Sequence, residues 1–128
     1  MSMTIRIDQL AKTVVSELEN YTEEVAAQVR TDVDRVSKET VSDLKRTSPK
    51  KTGAYAKGWS KRVIADEKGR LVVQIFNNKK PSLTHLLEYG HAKKGGGMVP
   101  AKQHIQPANE KAVQKLIGKA ESALRQGG

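Results

Sequence analysis

The 128-residue sequence contains no cysteine, few aromatic residues and no long apolar run. The lack of cysteine excludes disulfides and thiolate metal sites, and it suits a reducing compartment. No apolar stretch approaches the roughly 20 residues of a membrane-spanning helix, and the first six residues lack the apolar core of a signal peptide. Only 37% of the residues are hydrophobic and 4% aromatic, which indicates a modest core. We therefore expect a soluble protein that is made in the cytoplasm and has no membrane partner.

Residue types that carry catalysis or bind metals are present, but their spacing matches no known pattern. His85, His91 and His104 have no compact ligand spacing, so we predict surface or capping histidines. The glycines at 95–97 lack the strand–turn–helix context of a phosphate-binding loop. No nucleophile elbow or catalytic triad is visible. The sequence therefore predicts no enzyme, no metal site and no cofactor.

The net charge of +9 is divided unevenly along the chain. Residues 1–44 have five Lys or Arg against nine Asp or Glu, a net −4, whereas residues 45–128 have eighteen against five, a net +13. A basic half can attract nucleic acid, and two halves of opposite sign can attract copies of one chain head to tail. We favour contact between copies because it uses both halves.

The N-terminal third predicts a short edge strand followed by a long helix. Apolar residues alternate over residues 3–7, as in a strand, and Asp8 is a good helix N-cap. Apolar positions then recur every three or four residues, which predicts a helix over residues 8–46, about 55 Å long. Such a helix is expected to extend past its own domain or to pack on a neighbouring copy, with a break or bend near residues 30–36, where β-branched residues weaken the helix. A coiled coil is the alternative, but the apolar positions do not keep one heptad register, and no pattern of charges stands out at the e and g positions.

A corner at residues 48–53 is predicted to end this helix and turn the chain into a strand. Pro49 disfavours helix at Ser48, and Gly53 can adopt positive φ. A β-hairpin is then predicted over residues 54–76, with its turn at residues 66–69 and a bend at Gly58. Tyr55, Trp59 and Val63 would share one strand face.

The remaining segments predict two more helices. Ser82 can cap a short helix that Gly90 ends. Residues 91–103 are expected to form a flexible basic loop, and Pro107 suits the first turn of a helix over residues 107–125. The chain is therefore predicted to be a single α+β domain, residues 1–128, with both long helices packed on a small, mainly antiparallel sheet centred on the hairpin.

Nucleic-acid binding is the alternative function. Lysines and arginines cluster around the corner and hairpin, beside Tyr55 and Trp59, and aromatic stacking next to a basic groove is one mode of binding single strands. Against it, Trp59 is expected in the core, which leaves a solvated basic face or a partner contact as the preferred interpretation.

Three short motifs resemble the head–tail joining, or tail-completion, protein family of long-tailed bacteriophages and prophages. The first is Ser48-Pro49 followed by Thr52-Gly53, which is similar to the family's SP-x-x-TG corner. The second covers residues 86–91, including Glu88-Tyr89-Gly90-His91. The third runs from Val99-Pro100-Ala101 through His104 to Pro107-Ala108, on the approach to the last helix. The sequence departs from the family pattern at Lys50, Lys51 and His104.

This resemblance implies a non-enzymatic structural protein of the virion neck, assembled in the host cytoplasm. It implies a ring of identical subunits, with a hexamer expected, that contacts head-completion or connector proteins and tail-tube proteins and makes weak, non-specific contact with DNA. Glu88 is the best candidate for a polar contact within the subunit or across the ring, with an ordinary exposed acid as the alternative. The motif residues expected to shape the fold or the interface are Pro49, Thr52, Gly53, Trp59, Glu88, Tyr89, Gly90, His91, Pro100 and Pro107.

Overall fold

A computed structural model describes residues 2–7, 11–17, 22–50, 53–67, 70–93 and 95–127. Six strands and four helices lie in these ranges. In chain order they are β1 (Ser2–Ile7), β2 (Ala11–Glu17), α1 (Glu23–Thr47), α2 (Ala54–Lys57), β3 (Trp59–Glu67), β4 (Arg70–Asn77), α3 (Leu83–Tyr89), β5 (His91–Ala92), β6 (Met98–Val99) and α4 (Ile105–Gly127).

The main sheet has four antiparallel strands in the order β1-β2-β4-β3. The β3–β4 hairpin is in register at Val63 opposite Val73, and a bulge follows between Val63 and Ala65. Two long helices and a small antiparallel sheet confirm the predicted α+β class. The predicted strand over residues 3–7 lies within β1, at one edge of the sheet.

The predicted helix over residues 8–46 is wrong in its first part. Residues Ala11–Glu17 form strand β2, and α1 begins only at Glu23, after Thr22 accepts a hydrogen bond from the Val25 amide at 3.2 Å. The β-branched run at residues 13–15 favours extended backbone. β2 hydrogen-bonds to both β1 and β4, so its backbone groups find in the sheet the partners that they would have had in the predicted helix.

Helix α1 does not need a neighbouring copy to cover its apolar stripe. Val25, Val29, Val33 and Val36 are all 4% exposed or less, and they pack against β4 and α4 in one core cluster. The predicted break near residues 30–36 does not occur, because the helix is continuous from Glu23 to Thr47. Tertiary burial outweighs the small helix penalty of the β-branched residues.

The predicted first hairpin strand starts five residues too early. Residues Ala54–Lys57 form the short helix α2, Gly58 ends it, and the strand runs from Trp59 to Glu67. Two alanines make this segment a good helix former. Tyr55 therefore lies in α2 and not on the strand, and Val63, although it is on the same strand as the buried Trp59, is 57% exposed.

The C-terminal segments lie close to their predicted positions. Helix α3 ends at Gly90, and α4 covers Ile105–Gly127, slightly longer than the predicted 107–125. The predicted loop over residues 91–103 contains two short paired strands, β5 and β6, so its two ends are hydrogen-bonded to each other. Among the described residues, no helix combines the length and hydrophobicity needed to cross a bilayer.

Candidate functional site

A hydrogen bond between two buried side chains closes the corner at residues 48–53. Ser48 ends α1, and its amide donates to the Leu44 carbonyl oxygen at 2.9 Å. The Ser48 hydroxyl also donates to that carbonyl and accepts from the Trp59 indole N–H at 2.7 Å. Trp59, which is 2% exposed, therefore has its only polar atom satisfied inside the core, as a buried indole requires.

Tyr55 and His104 form the second contact of this buried region. The Tyr55 hydroxyl lies 2.7 Å from His104 Nε2, and His104 Nδ1 lies 2.7 Å from the Lys102 carbonyl oxygen. Because a carbonyl oxygen only accepts, Nδ1 carries the hydrogen, and in the neutral imidazole Nε2 accepts from the tyrosine. Burial, with a smaller effect from the nearby Glu88 charge, raises the pKa of Tyr55 above its ordinary value. His104 is 3% exposed, so of the predicted surface and capping roles the surface role is wrong at this position.

Glu88 lies at the centre of the region and holds the start of α4. Its Oε1 accepts from the amides of His104 and Ile105 at 2.9 and 2.8 Å, and its Oε2 accepts from the Gln106 amide at 2.9 Å. Oε1 also lies 3.2 Å from His104 Nδ1. With 2% exposure, Glu88 is a contact within the subunit, and the alternative of an exposed acid is excluded.

The Glu88 carboxylate and Pro107 together explain why the amides at the start of α4 need no acceptor within the helix. The first amides of a helix have no carbonyl partner within it, and they attract negative charge. Glu88 accepts from the amides of residues 104–106, and Pro107 has no N–H to satisfy. The next amide, from Ala108, donates to the His104 carbonyl oxygen at 3.4 Å.

The three sequence motifs therefore meet in one place, the buried cluster of Ser48, Tyr55, Trp59, Glu88 and His104. Each of these side chains is 4% exposed or less. The second and third motifs also meet through backbone, where the Lys102 amide donates to the Leu87 carbonyl oxygen at 2.7 Å. Because its polar atoms bond within the subunit, the cluster's geometry supports a structural role.

Gly90 lies where two segments approach closely. Its φ is +77°, and an added Cβ would lie 2.6 Å from the Val99 carbonyl oxygen. Gly53 also has positive φ, +82°, but has open space around its Cα. Gly90 therefore serves both the end of α3 and the packing of the third motif, whereas Gly53 serves only the turn.

The other predicted motif residues lie at or near the surface. Tyr89 is 59% exposed and contacts the exposed His85, with ring centroids 5.0 Å apart and the ring planes tilted by 50°. Pro49 and His91 are half-buried and Pro100 is exposed. Thr52 lies outside the described residues.

Asn77 is a buried contact that sequence reasoning missed. Its side-chain amide donates to the Tyr55 carbonyl oxygen at 2.7 Å, and its Oδ1 accepts from the amides of Lys79 and Lys80 at 3.2 and 2.9 Å. It is 2% exposed. Residues 77–81 have only the composition of a loop, although an asparagine at the end of an apolar strand is a residue type that caps turns.

The two aromatic residues that were considered for base stacking beside the basic surface, Tyr55 and Trp59, are not accessible to bases. Lys45, Lys50 and Lys57 line one recess of about 280 Å³. Tyr55 and Trp59 are buried and bond to His104 and Ser48, so bases cannot stack on them. Within the described ranges, no group of three or more metal-binding side chains lies close enough to hold an ion.

Comparison with known proteins connects this geometry to a family. The sequence model of the family described as "Bacteriophage HK97-gp10, putative tail-component" matches residues 12–90, which is more than half of the chain. The match includes the first motif and the second as far as Gly90, and it ends before the third. Searches of curated proteins and of solved structures gave no match. The chain therefore belongs to the HK97-gp10-like family of bacteriophage tail components.

Proposed function

We propose that this protein is a non-enzymatic structural subunit of the phage neck, where a ring of copies, expected to be a hexamer, joins the head to the tail. The family match over residues 12–90 carries the proposal, because that family describes a tail component of the virion. The ordered motifs of the head–tail joining family support the finer assignment to the neck.

Several surface features suit a protein that works in an assembly. The two edge strands of the main sheet, β1 and β3, can each pair with another chain. Large apolar side chains are also exposed: Met98 at 65%, Tyr89 at 59% and Ile64 at 54%. Exposed apolar residues of this size favour contact with protein partners, here expected to be head-completion or connector proteins and tail-tube proteins.

The lysine recess favours weak contact with DNA in the neck. Lys45, Lys50 and Lys57 supply charge without the stacking groups that strengthen single-strand binding. Contact of this kind depends on phosphate charge alone, so it falls steeply with salt and has no sequence preference.

Deletion of the gene in a phage that carries it tests the proposal. We expect filled heads and complete tails that do not join, and we expect plasmid-borne protein to restore joining. Immunogold electron microscopy should then place the protein at the neck, and native mass spectrometry of purified necks should show a ring of identical subunits. Normal virions after deletion, or label confined to another part of the particle, would overturn the proposal.

A further inference from the structure

A cleft of about 640 Å³ opens on the surface beside the buried cluster. All three motif segments contribute to it. Its lining includes the apolar side chains of Pro49, Leu87, Val99 and Pro100 and the cationic side chains of Lys50 and Lys102. The cleft thus combines apolar walls with two positive charges.

Some polar side chains in the cleft lining have no ion-pair or hydrogen-bond partner among the described residues. Lys50 and Lys102 are exposed, and neither forms an ion pair with a described residue. His91 also lines the cleft, and its Nδ1 is buried without a hydrogen-bond partner among the described residues. Buried polar atoms are nearly always paired. A carboxylate-bearing occupant would give the lysines a counter-charge and could accept from the Nδ1–H tautomer of His91.

The chain carries a matching acidic element at the opposite end of α1. Glu23 and Glu24 lie in its first turn, are exposed, and form no ion pair with a described residue. Between Lys12 and Arg30 the sequence has four glutamates and no Lys or Arg. The 25-residue helix is about 37 Å long, and its last residue, Thr47, lines the cleft. One copy therefore cannot place its own acidic turn in its own cleft, but a neighbouring copy can.

We propose that the cleft binds the acidic first turn of α1 from a second copy. The contact is head to tail, so each subunit offers one cleft and one acidic turn, and repetition closes a ring or extends a filament. This inference rests on the proposed ring and names the surfaces that form it. DNA phosphate would also suit the two lysines, but it would leave Glu23 and Glu24 without a counter-charge.

Charge reversal tests the contact in solution. Sedimentation velocity should show that K50E/K102E and E23K/E24K each associate roughly tenfold or more weakly than the unchanged protein, since like charges then face each other. Mixing the two variants, or combining all four substitutions in one chain, should restore association. The matched control is K79E/K80E, which makes the same charge change at exposed lysines outside the cleft lining and should associate normally. Circular dichroism checks that every variant is folded.

Cysteine cross-linking gives a second measurement, in solution and in assembled particles. Because the chain has no cysteine, E23C/K50C introduces one defined pair, and the length of α1 prevents that pair from closing within one copy. Oxidation should give a ladder of covalent multimers, whereas E23C or K50C alone should give at most dimers.

Three outcomes would overturn this inference. They are reversed variants that associate normally, reversed variants that lose association without rescue in the mixture, and an E23C/K50C protein that gives no ladder. Loss of binding to a DNA duplex in K50E/K102E, with association unchanged, would assign the cleft to DNA instead. If the protein lies at the neck but charge reversal has no effect, only the cleft contact fails. If the protein is absent from the neck, the proposed function fails even when copies associate.

Discussion

Glu88 shows how one carboxylate can organise a region of a small protein. It comes from the short helix α3, yet its oxygens bind three successive amides at the start of α4. Hydrogen bonds to an ionised acceptor are stronger than those between neutral groups, and the positive end of the helix dipole favours the charge. Two stretches that are distant in sequence, α3 and the start of α4, are joined at this one side chain.

Replacement of Glu88 should therefore be costly. We expect Glu88→Ala to lower the free energy of unfolding by about 3 kcal/mol or more, because buried amides lose their acceptor. Glu88→Gln should cost somewhat less, about 2 kcal/mol, because one oxygen remains but the NH₂ group faces other donors. Urea denaturation measures both. The control is Glu110→Gln, an exposed acid on α4, which should change stability by no more than about 0.5 kcal/mol. Similar losses in Glu88→Gln and Glu110→Gln would contradict this account.

At the scale of elements, two glycines lie at helix boundaries for different physical reasons: Gly53 precedes α2 and Gly90 follows α3. Gly53 needs only positive φ before α2, whereas Gly90 needs positive φ and the absence of a Cβ against the Val99 backbone. Backbone at this contact also carries the hydrogen bond from Lys102 to Leu87. A clash at Gly90 would therefore separate α3 from the segment that leads into α4.

Alanine substitution should distinguish the two glycines. Gly53→Ala should cost about 1 to 2 kcal/mol, the penalty for a left-handed conformation with no clash. Gly90→Ala should cost clearly more, about 3 kcal/mol or above, because backbone must move to admit the Cβ. Thermal and urea unfolding of the two variants side by side measure the difference. Equal losses would show that the close approach to Val99 contributes nothing.

Over the whole molecule, ion pairs join α1 to strand β3 and to helix α4. Asp34 pairs with Lys61 of β3 at 2.8 Å, and Glu39 pairs with Lys115 of α4 at 2.6 Å. Hydrogen bonds from Lys61, and then from Lys38, hold the pKa of Asp34 below its ordinary value, and the bond from Lys115 does the same for the pKa of Glu39. Because these groups are largely exposed, salt screens each contribution.

The lowered pKa values determine the direction of acid destabilisation. A carboxyl group with a lower pKa in the folded state stabilises fully above its unfolded pKa, and it loses this effect as the pH falls through the folded pKa. We therefore expect stability to decline below pH 4.5 and further below pH 3.8, the ordinary values for Glu39 and Asp34, and to decline less in high salt. Denaturant titrations at stepped pH values measure this slope.

Glu39→Gln should make the decline in stability with falling pH less steep, because the glutamine amide does not take up a proton in this pH range. The control is Glu67→Gln, at an exposed acid that forms no ion pair with a described residue. A slope that is as steep in Glu39→Gln as in Glu67→Gln would contradict the assignment.

Local chemistry made several features predictable. Pro49 stops α1, Gly90 stops α3 and Pro107 lies in the first turn of α4, because a missing amide or a permissive φ acts wherever the residue stands. The return strand of the hairpin was equally clear, since its apolar residues are consecutive and bounded by turn residues. These signals depend only on near neighbours, so the sequence by itself determined the α+β class, the corner and most helix ends.

Contacts between distant segments decided the rest. The stretch Ala11–Glu17 suits a helical apolar stripe and a strand equally well, and it is a strand because β1 and β4 offer backbone partners on both sides. From the sequence, Glu88 is the candidate for a polar contact with an exposed acid as the alternative, and His104 is predicted to be a surface or capping histidine; folding buries both with the partners they need. A buried carboxylate or imidazole is stable only with donors and acceptors at hydrogen-bond distance, and only the tertiary structure brings these groups together.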